Sequence, residues 1–337
     1  MTKFRTVTAI AALSIAFAGS AVAAPVLEPT TQHFIDSLKG STPIYTLSPR
    51  AARTVLDKAQ SGAVEMAPAT IQQMNLPVGP TGQTSVHVVR PDGASGTLPL
   101  IVYFHGGGWI LGDFHTHERL VRALAAGTGA AIVFVDYTPS PEAKYPVAIN
   151  EDYAVTKYVA EHATELNVDA SRLAIAGDSV GGNMVAAVSL LAKEHNGPKI
   201  SAQVLFYPVT DANLNDGSYK TFANGPWLTQ TAMKWFWDAY LPDVKARKDI
   251  HVSPLNATTE ELSGLPKALV ITDANDVLRD EGEAYAEKLM KADVPVTTTR
   301  YLGTTHDFVM LNAEADTPAA RGAIAQAVDF LKSAFAR

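Results

Sequence analysis

The chain has 337 residues, 47% of them hydrophobic, with 27 Lys and Arg against 34 Asp and Glu, a net charge of −7 and no cysteine. That length suits one large α/β core with a modest accessory region. The acidic balance argues against nucleic acid or an anionic membrane as partner, and the absence of cysteine excludes a catalytic thiol, a thiolate metal site and disulfides.

The N-terminus reads as a secretory signal peptide. Lys3 and Arg5 precede an apolar run at 7–18, and Ala21-Val22-Ala23 supplies a cleavage site, with Ala24 as the alternative end. The run is too short to cross a bilayer, and no later stretch reaches about 18 consecutive apolar residues, so no stable membrane insertion is expected. Removing residues 1–23 with their two basic side chains leaves 314 residues and takes the charge from −7 to −9. The expected destination is the periplasm or the medium, as a monomer or homodimer.

Residues 24–83 are poorly periodic and read as an N-terminal cap segment. Two short helices are expected there, near 32–38 and 49–61; Ser48 caps the second and Pro49 opens it. Residues 77–82 read as a linker. From Thr84 onward strands and helices alternate. Apolar runs at 86–90, 100–104, 131–136, 173–176, 204–207, 268–273 and 297–301 read as strands, most of them buried on both faces. Helical patterns fall near 116–126, 146–166, 180–194 and 279–292, and Thr317 caps a last helix that Pro318 opens. The alternation predicts an α/β fold over 84–337 with a mostly parallel, doubly wound sheet. About sixty residues separate two of the strands, too many for one crossover. The aromatic-rich part, 211–255, holds Trp227, Trp235 and Trp237 and is expected to be a helical cap over a pocket.

Two motifs carry chemistry. Ser179 sits in Gly177-Asp178-Ser179-Val180-Gly181-Gly182, between a predicted strand and a predicted helix. Such a turn needs glycines, lifts the serine hydroxyl out of the sheet and aims backbone N–H groups at it. The second motif is His105-Gly106-Gly107-Gly108-Trp109, directly after the strand at 100–104. Its glycines let backbone donors approach an oxyanion closely. Together the two strings point to serine acyl-hydrolysis far more specifically than either alone. His105 precedes the serine, against the chain order Ser, acid, His, so it is expected to brace the glycine loop rather than act as base.

On these motifs the chain resembles the hormone-sensitive lipase family of α/β-hydrolases, as found in bacterial esterases. Asp136-Tyr137 with Pro141-Glu142 and Tyr145-Pro146, Asp276-Val277-Leu278-Arg279-Asp280-Glu281-Gly282 and Thr305-His306-Asp307-Phe308 extend the likeness. It departs from the family at Val180, Val277 and Asp307, which replace alanine, proline and glycine. The resemblance implies a triad of Ser179, Asp276 and His306, with oxyanion donors at Gly107, Gly108 and Val180. Position agrees independently, since Asp276 and His306 each follow a predicted strand at the C-terminal edge of the sheet. Asp273 and Asp280 are the competing acids; Asp280 falls in a first helical turn, where a carboxylate favours the dipole. Asp178 is expected to accept loop N–H groups. Asp307, beside the base, either raises its pKa or points to solvent. Trp109, Trp227 and Phe308 are the candidate pocket residues, Trp109 narrowing the space beside the reacting carbonyl.

No cofactor or metal is expected. Asp113, His115, His117 and Glu118 read as a loop and a helix start capped by Thr116, and His195 as an exposed residue at a helix end. The expected function is a secreted carboxylic-ester hydrolase working on small short-acyl esters through an acyl-enzyme. The alternatives are an amidase, deacetylase or lactonase with the same triad, and a non-catalytic binder on the same fold.

Overall fold

The computed structural model describes residues 25–336, so the expected signal peptide lies outside the described residues. Eight strands among those residues form one sheet: β1 (Ala69–Leu76), β2 (Thr84–Pro91), β3 (Leu98–Phe104), β4 (Ala131–Asp136), β5 (Val168–Asp178), β6 (Ala202–Phe206), β7 (Lys267–Asn275) and β8 (Val296–Thr305). Their order is β1-β2-β4-β3-β5-β6-β7-β8. β1 and β2 are antiparallel to each other, β2 is antiparallel to β4, and every pair from β4 to β8 is parallel. This is the α/β-hydrolase arrangement, a mostly parallel open sheet with helices between its strands.

The apolar runs explain the centre of the sheet. β3, β4, β6 and the second half of β5, from Leu173, are nearly continuous buried runs, because helices cover both faces, whereas residues 169–172 of β5 are polar-rich and only partly covered. β1 was not expected. Its sequence, ATIQQMNL, buries only Leu76, since an edge strand needs one neighbour and little apolar surface.

Ten α-helices among the described residues accompany the strands: α1 (Pro29–Ser37), α2 (Pro49–Ala59), α3 (Phe114–Thr128), α4 (Val147–Glu161), α5 (Val180–Glu194), α6 (Gly217–Thr221), α7 (Gln230–Tyr240), α8 (Thr259–Leu262), α9 (Arg279–Lys291) and α10 (Pro318–Phe335). Ser48 and Thr317 cap α2 and α10 as expected, each accepting from the backbone N–H three residues on. The α3 cap is Asp113, not Thr116. Asp113 accepts from Thr116 N, and Thr116 Oγ1 accepts from Asp113 N in return, so the threonine is the third helical residue of a capping box.

Candidate active site

The turn after β5 gives Ser179 φ 56° and ψ −119°, a left-handed conformation that costs energy for a side chain with a Cβ. Neighbours hold it there. Ser179 N donates to Phe206 O at 2.9 Å, and Ser179 O accepts from Asn183 N and Val209 N at 3.1 Å each. Gly181 lets the first turn of α5 sit against β3; a Cβ there would overlap the Phe104 carbonyl. Val180 opens α5, where a helix N–H has no intrahelical acceptor.

Three side chains meet at this turn. His306, just beyond β8, places Nε2 at 2.8 Å from Ser179 Oγ, and its Nδ1 lies 2.8 Å from Asp276 Oδ2. Asp276, just beyond β7, takes Leu278 N on its other oxygen at 3.1 Å. Asn275 ties the two loops together by donating to Thr304 O at 3.0 Å. All three groups are buried: Ser179 is 4% exposed, His306 2% and Asp276 1%. Burial works against charge on His306, but the carboxylates of Asp276 and Asp307 outweigh it and raise its pKa above the usual histidine range.

The competing acids lie elsewhere. Asp280 pairs with Arg279 Nε at 2.8 Å on α9. Asp273 is buried behind Asp276, and among the described residues no donor engages its oxygens. Asp273, Asp276 and His306 are the acidic and imidazole groups here close enough to share an ion. Both ring nitrogens of His306 lie at hydrogen-bond distance from protein oxygens, Asp276 Oδ2 and Ser179 Oγ.

The glycine loop folds beside the serine. Gly107 and Gly108 line the same cavity as Ser179, with φ of +107° and +64°. Gly108 is pressed against the Phe236 ring, where a Cβ would not fit. Beneath the loop, Asp178 accepts from Gly106 N at 3.1 Å and from Tyr103 OH at 2.7 Å, and lies 3.3 Å from His117 Nε2. Burial opposes charge on both partners of that last pair, yet their attraction wins: His117 is raised and Asp178 lowered. Sequence reasoning missed His117, because nothing local links two residues 61 positions apart. His105 faces away from the serine. Its Nδ1 meets Gly106 O at 2.8 Å, its ring stacks on Tyr137, and burial with the charge of His117 pushes its pKa down to about 4. A histidine held neutral in this way braces the loop.

A cavity of about 470 Å3 opens over Ser179 and His306. Its walls come from α1 and the residue after it (Ile35, Leu38), α2 (Leu56), α7 (Met233, Phe236) and the segment holding Trp227. Trp227 Nε1 donates to Asp307 Oδ2 at 2.8 Å, and Asp307 Oδ1 lies 3.5 Å from His306 Nε2. Asp307 therefore turns into the site rather than to solvent. Two of the expected pocket residues do not reach the cavity. Trp109, with φ 59°, turns back under α7, where it stacks on Tyr240 at 4.1 Å and meets Trp237 at 4.6 Å. Phe308 is fully buried between Tyr207 and Tyr301. In both cases a large aromatic gains more from a closed apolar niche than from a half-open pocket wall.

Comparison with known proteins bears on the fold and the family. A family model described as the alpha/beta hydrolase fold matches residues 101–310. Carboxylesterase NlhH of Mycobacterium tuberculosis is 38% identical, over 80% of this chain and 89% of its own. A thermostable esterase of Pseudomonas putida superposes with a TM-score of 0.91 at 50% identity, covering 93% of this chain and 99% of that one. An esterase of the fungus Rhizomucor miehei does so with a TM-score of 0.86 at 37% identity, over 93% and 98%.

Proposed function

The chain belongs to the α/β-hydrolase-fold family and is a carboxylesterase-type hydrolase, and we propose that it cleaves short-acyl esters through Ser179, His306 and Asp276. The observation that carries this reading is the unbroken series of 2.8 Å contacts from Ser179 Oγ through His306 to Asp276, at the floor of a cavity that Gly107 and Gly108 also line.

In this mechanism His306 Nε2 takes the Ser179 proton as Oγ attacks the ester carbonyl. The N–H groups of Gly107, Gly108 and Val180 stabilise the oxyanion. His306 returns the proton to the departing alcohol, leaving an acyl-serine, and a water activated by the same imidazole releases the acid. Asp276 holds Nδ1 protonated, so Nε2 is the basic nitrogen. The part of the expected N-terminal cap segment before β1, with α1 and α2, acts together with residues 211–255 as the cap, whereas β1 itself joins the sheet; the cap leaves a small, largely apolar space suited to a short acyl chain. Action outside the cytoplasm belongs to the same proposal. It rests on the signal-peptide pattern around Lys3, Arg5 and Ala23.

The acid assignment tests this reading. Asp276→Asn should lower kcat on p-nitrophenyl acetate on the order of 10⁴-fold, as loss of the triad acid does in serine proteases. Asp280→Asn should leave kcat nearly unchanged. A reversal of those two results would remove Asp276 from the mechanism.

A further inference from the structure

The triad acid has a second carboxyl behind it. Asp273, near the end of β7, is completely buried, and its carboxyl, that of Asp276 and a ring nitrogen of His306 lie within 4.8 Å of one another. Among the described residues no N–H or O–H donor engages either Asp273 oxygen. An ionised group there would be a bare charge in a dry interior, beside the charge of Asp276. The neutral acid avoids that cost. It also gains an O–H to donate, and the Asp276 carboxyl, in the same 4.8 Å cluster, can accept it.

We propose that Asp273 is a positioning residue of the triad, whose neutral carboxyl donates a hydrogen bond to the Asp276 carboxylate and so holds that group against His306 Nδ1. The proposal rests on the Ser179–His306–Asp276 reading. Asp276 then has three donors for its oxygens: Leu278 N, His306 Nδ1 and the Asp273 O–H. Burial first, and then the charge of Asp276, push the Asp273 carboxyl well above the ordinary carboxylate range, in keeping with this role. The other titratable groups facing it are His306 and Asp307 from beyond β8 and Tyr207 from beyond β6. Arg279 on α9 is turned instead onto the Ala274 carbonyl and Asp280. With Asp273 neutral, the negative charges felt by the His306 imidazole are those of Asp276 and Asp307.

Two substitutions separate this role from a structural one. Asp273→Asn keeps a neutral donor of the same shape; kcat should stay within a few-fold and the acid limb of the kcat/KM pH profile should not move. Asp273→Leu removes the donor; kcat should fall about tenfold or more with KM little changed, the loss typical when a partner that orients a catalytic ligand is removed. A shift of the acid limb to lower pH in Asp273→Asn would mean that Asp273 was ionised and would overturn the proposal. So would an unchanged kcat in Asp273→Leu, or loss of wild-type activity on chelation with recovery on adding zinc. If Asp273→Leu does not fold, the Asp273→Asn pH profile still decides. Fluorophosphonate labelling of the wild type is run alongside. Absence of an adduct on Ser179 would fault the triad itself, whereas a Ser179 adduct with a moved pH profile in Asp273→Asn would fault the proposal alone.

Discussion

At the scale of residues, the electrostatics of one imidazole set the pH dependence. In the proposed mechanism His306 must be neutral to accept a proton from Ser179, so activity should rise with pH through the His306 pKa. That pKa is raised, against the effect of burial, by Asp276 and Asp307. In the proposed triad, neutralising Asp276 would remove the carboxylate that keeps His306 Nδ1 protonated, but Asp307 can be neutralised without touching that contact. In Asp307→Asn the amide oxygen still accepts from Trp227 Nε1, while the charge 3.5 Å from Nε2 is gone. The acid limb of the kcat/KM profile should therefore move to lower pH, with a severalfold gain in rate on its acid side. An unmoved limb would show that Asp307 does not act on His306. Much at this scale was legible in the sequence. Ser179 and His306 stand in strings whose spacing relative to strands has few other uses, and Asp307 was visible as an oddity beside the base. What that carboxylate touches was not legible, because Trp227 reaches it from a segment 80 residues away. Asp273 and Asp276 were told apart in the sequence by the family motif that begins at Asp276, their place near a strand end adding little, and in the structure it is Asp276 that meets His306 Nδ1.

At the scale of elements, the site depends on the close approach of α5 to β3. Gly181 makes that approach possible, since a Cβ would overlap the Phe104 carbonyl, which is backbone and cannot swing aside. Gly181→Ala should destabilise the protein by about 1–3 kcal/mol, the usual cost of overpacking a rigid interior. It should also impair the serine turn. Gly62→Ala, where nothing lies within 4 Å of the added carbon, is the control and should leave both properties nearly unchanged. Paired thermal melts and esterase assays check this, and equal melting temperatures for the two variants would contradict the packing account. The buried strands were legible because a strand covered on both faces has to be apolar along its length. β1 was not, since an edge strand with one buried residue carries no periodic signal. Trp109 shows a different limit. Its place after the oxyanion glycines suggested a pocket wall, but a positive φ reverses the side chain towards α7. No propensity argument predicts that a tryptophan will adopt such a backbone.

At the scale of the whole molecule, the proposed reading draws chemistry and selectivity from different parts of the chain. The sheet edge carries Ser179, Asp276 and His306, while α1, α2, α7 and the Trp227 segment enclose the space above them. Each methylene that enters this space gains about 0.8 kcal/mol by burial until the chain meets its far wall. A cavity of about 470 Å3 must hold the alcohol group as well. The ratio kcat/KM on p-nitrophenyl esters should thus peak between roughly acetate and hexanoate and fall steeply beyond, with no jump in rate above the critical micelle concentration. A maximum at palmitate would refute the closed-cap reading. The most direct test of the central claim weighs the intact protein after treatment with a fluorophosphonate. The account predicts one adduct per chain, mapping to Ser179, with activity lost in proportion to labelling, and neither adduct nor turnover in a folded Ser179→Ala variant. An adduct on another residue, or ester hydrolysis at the normal rate by Ser179→Ala, would contradict it.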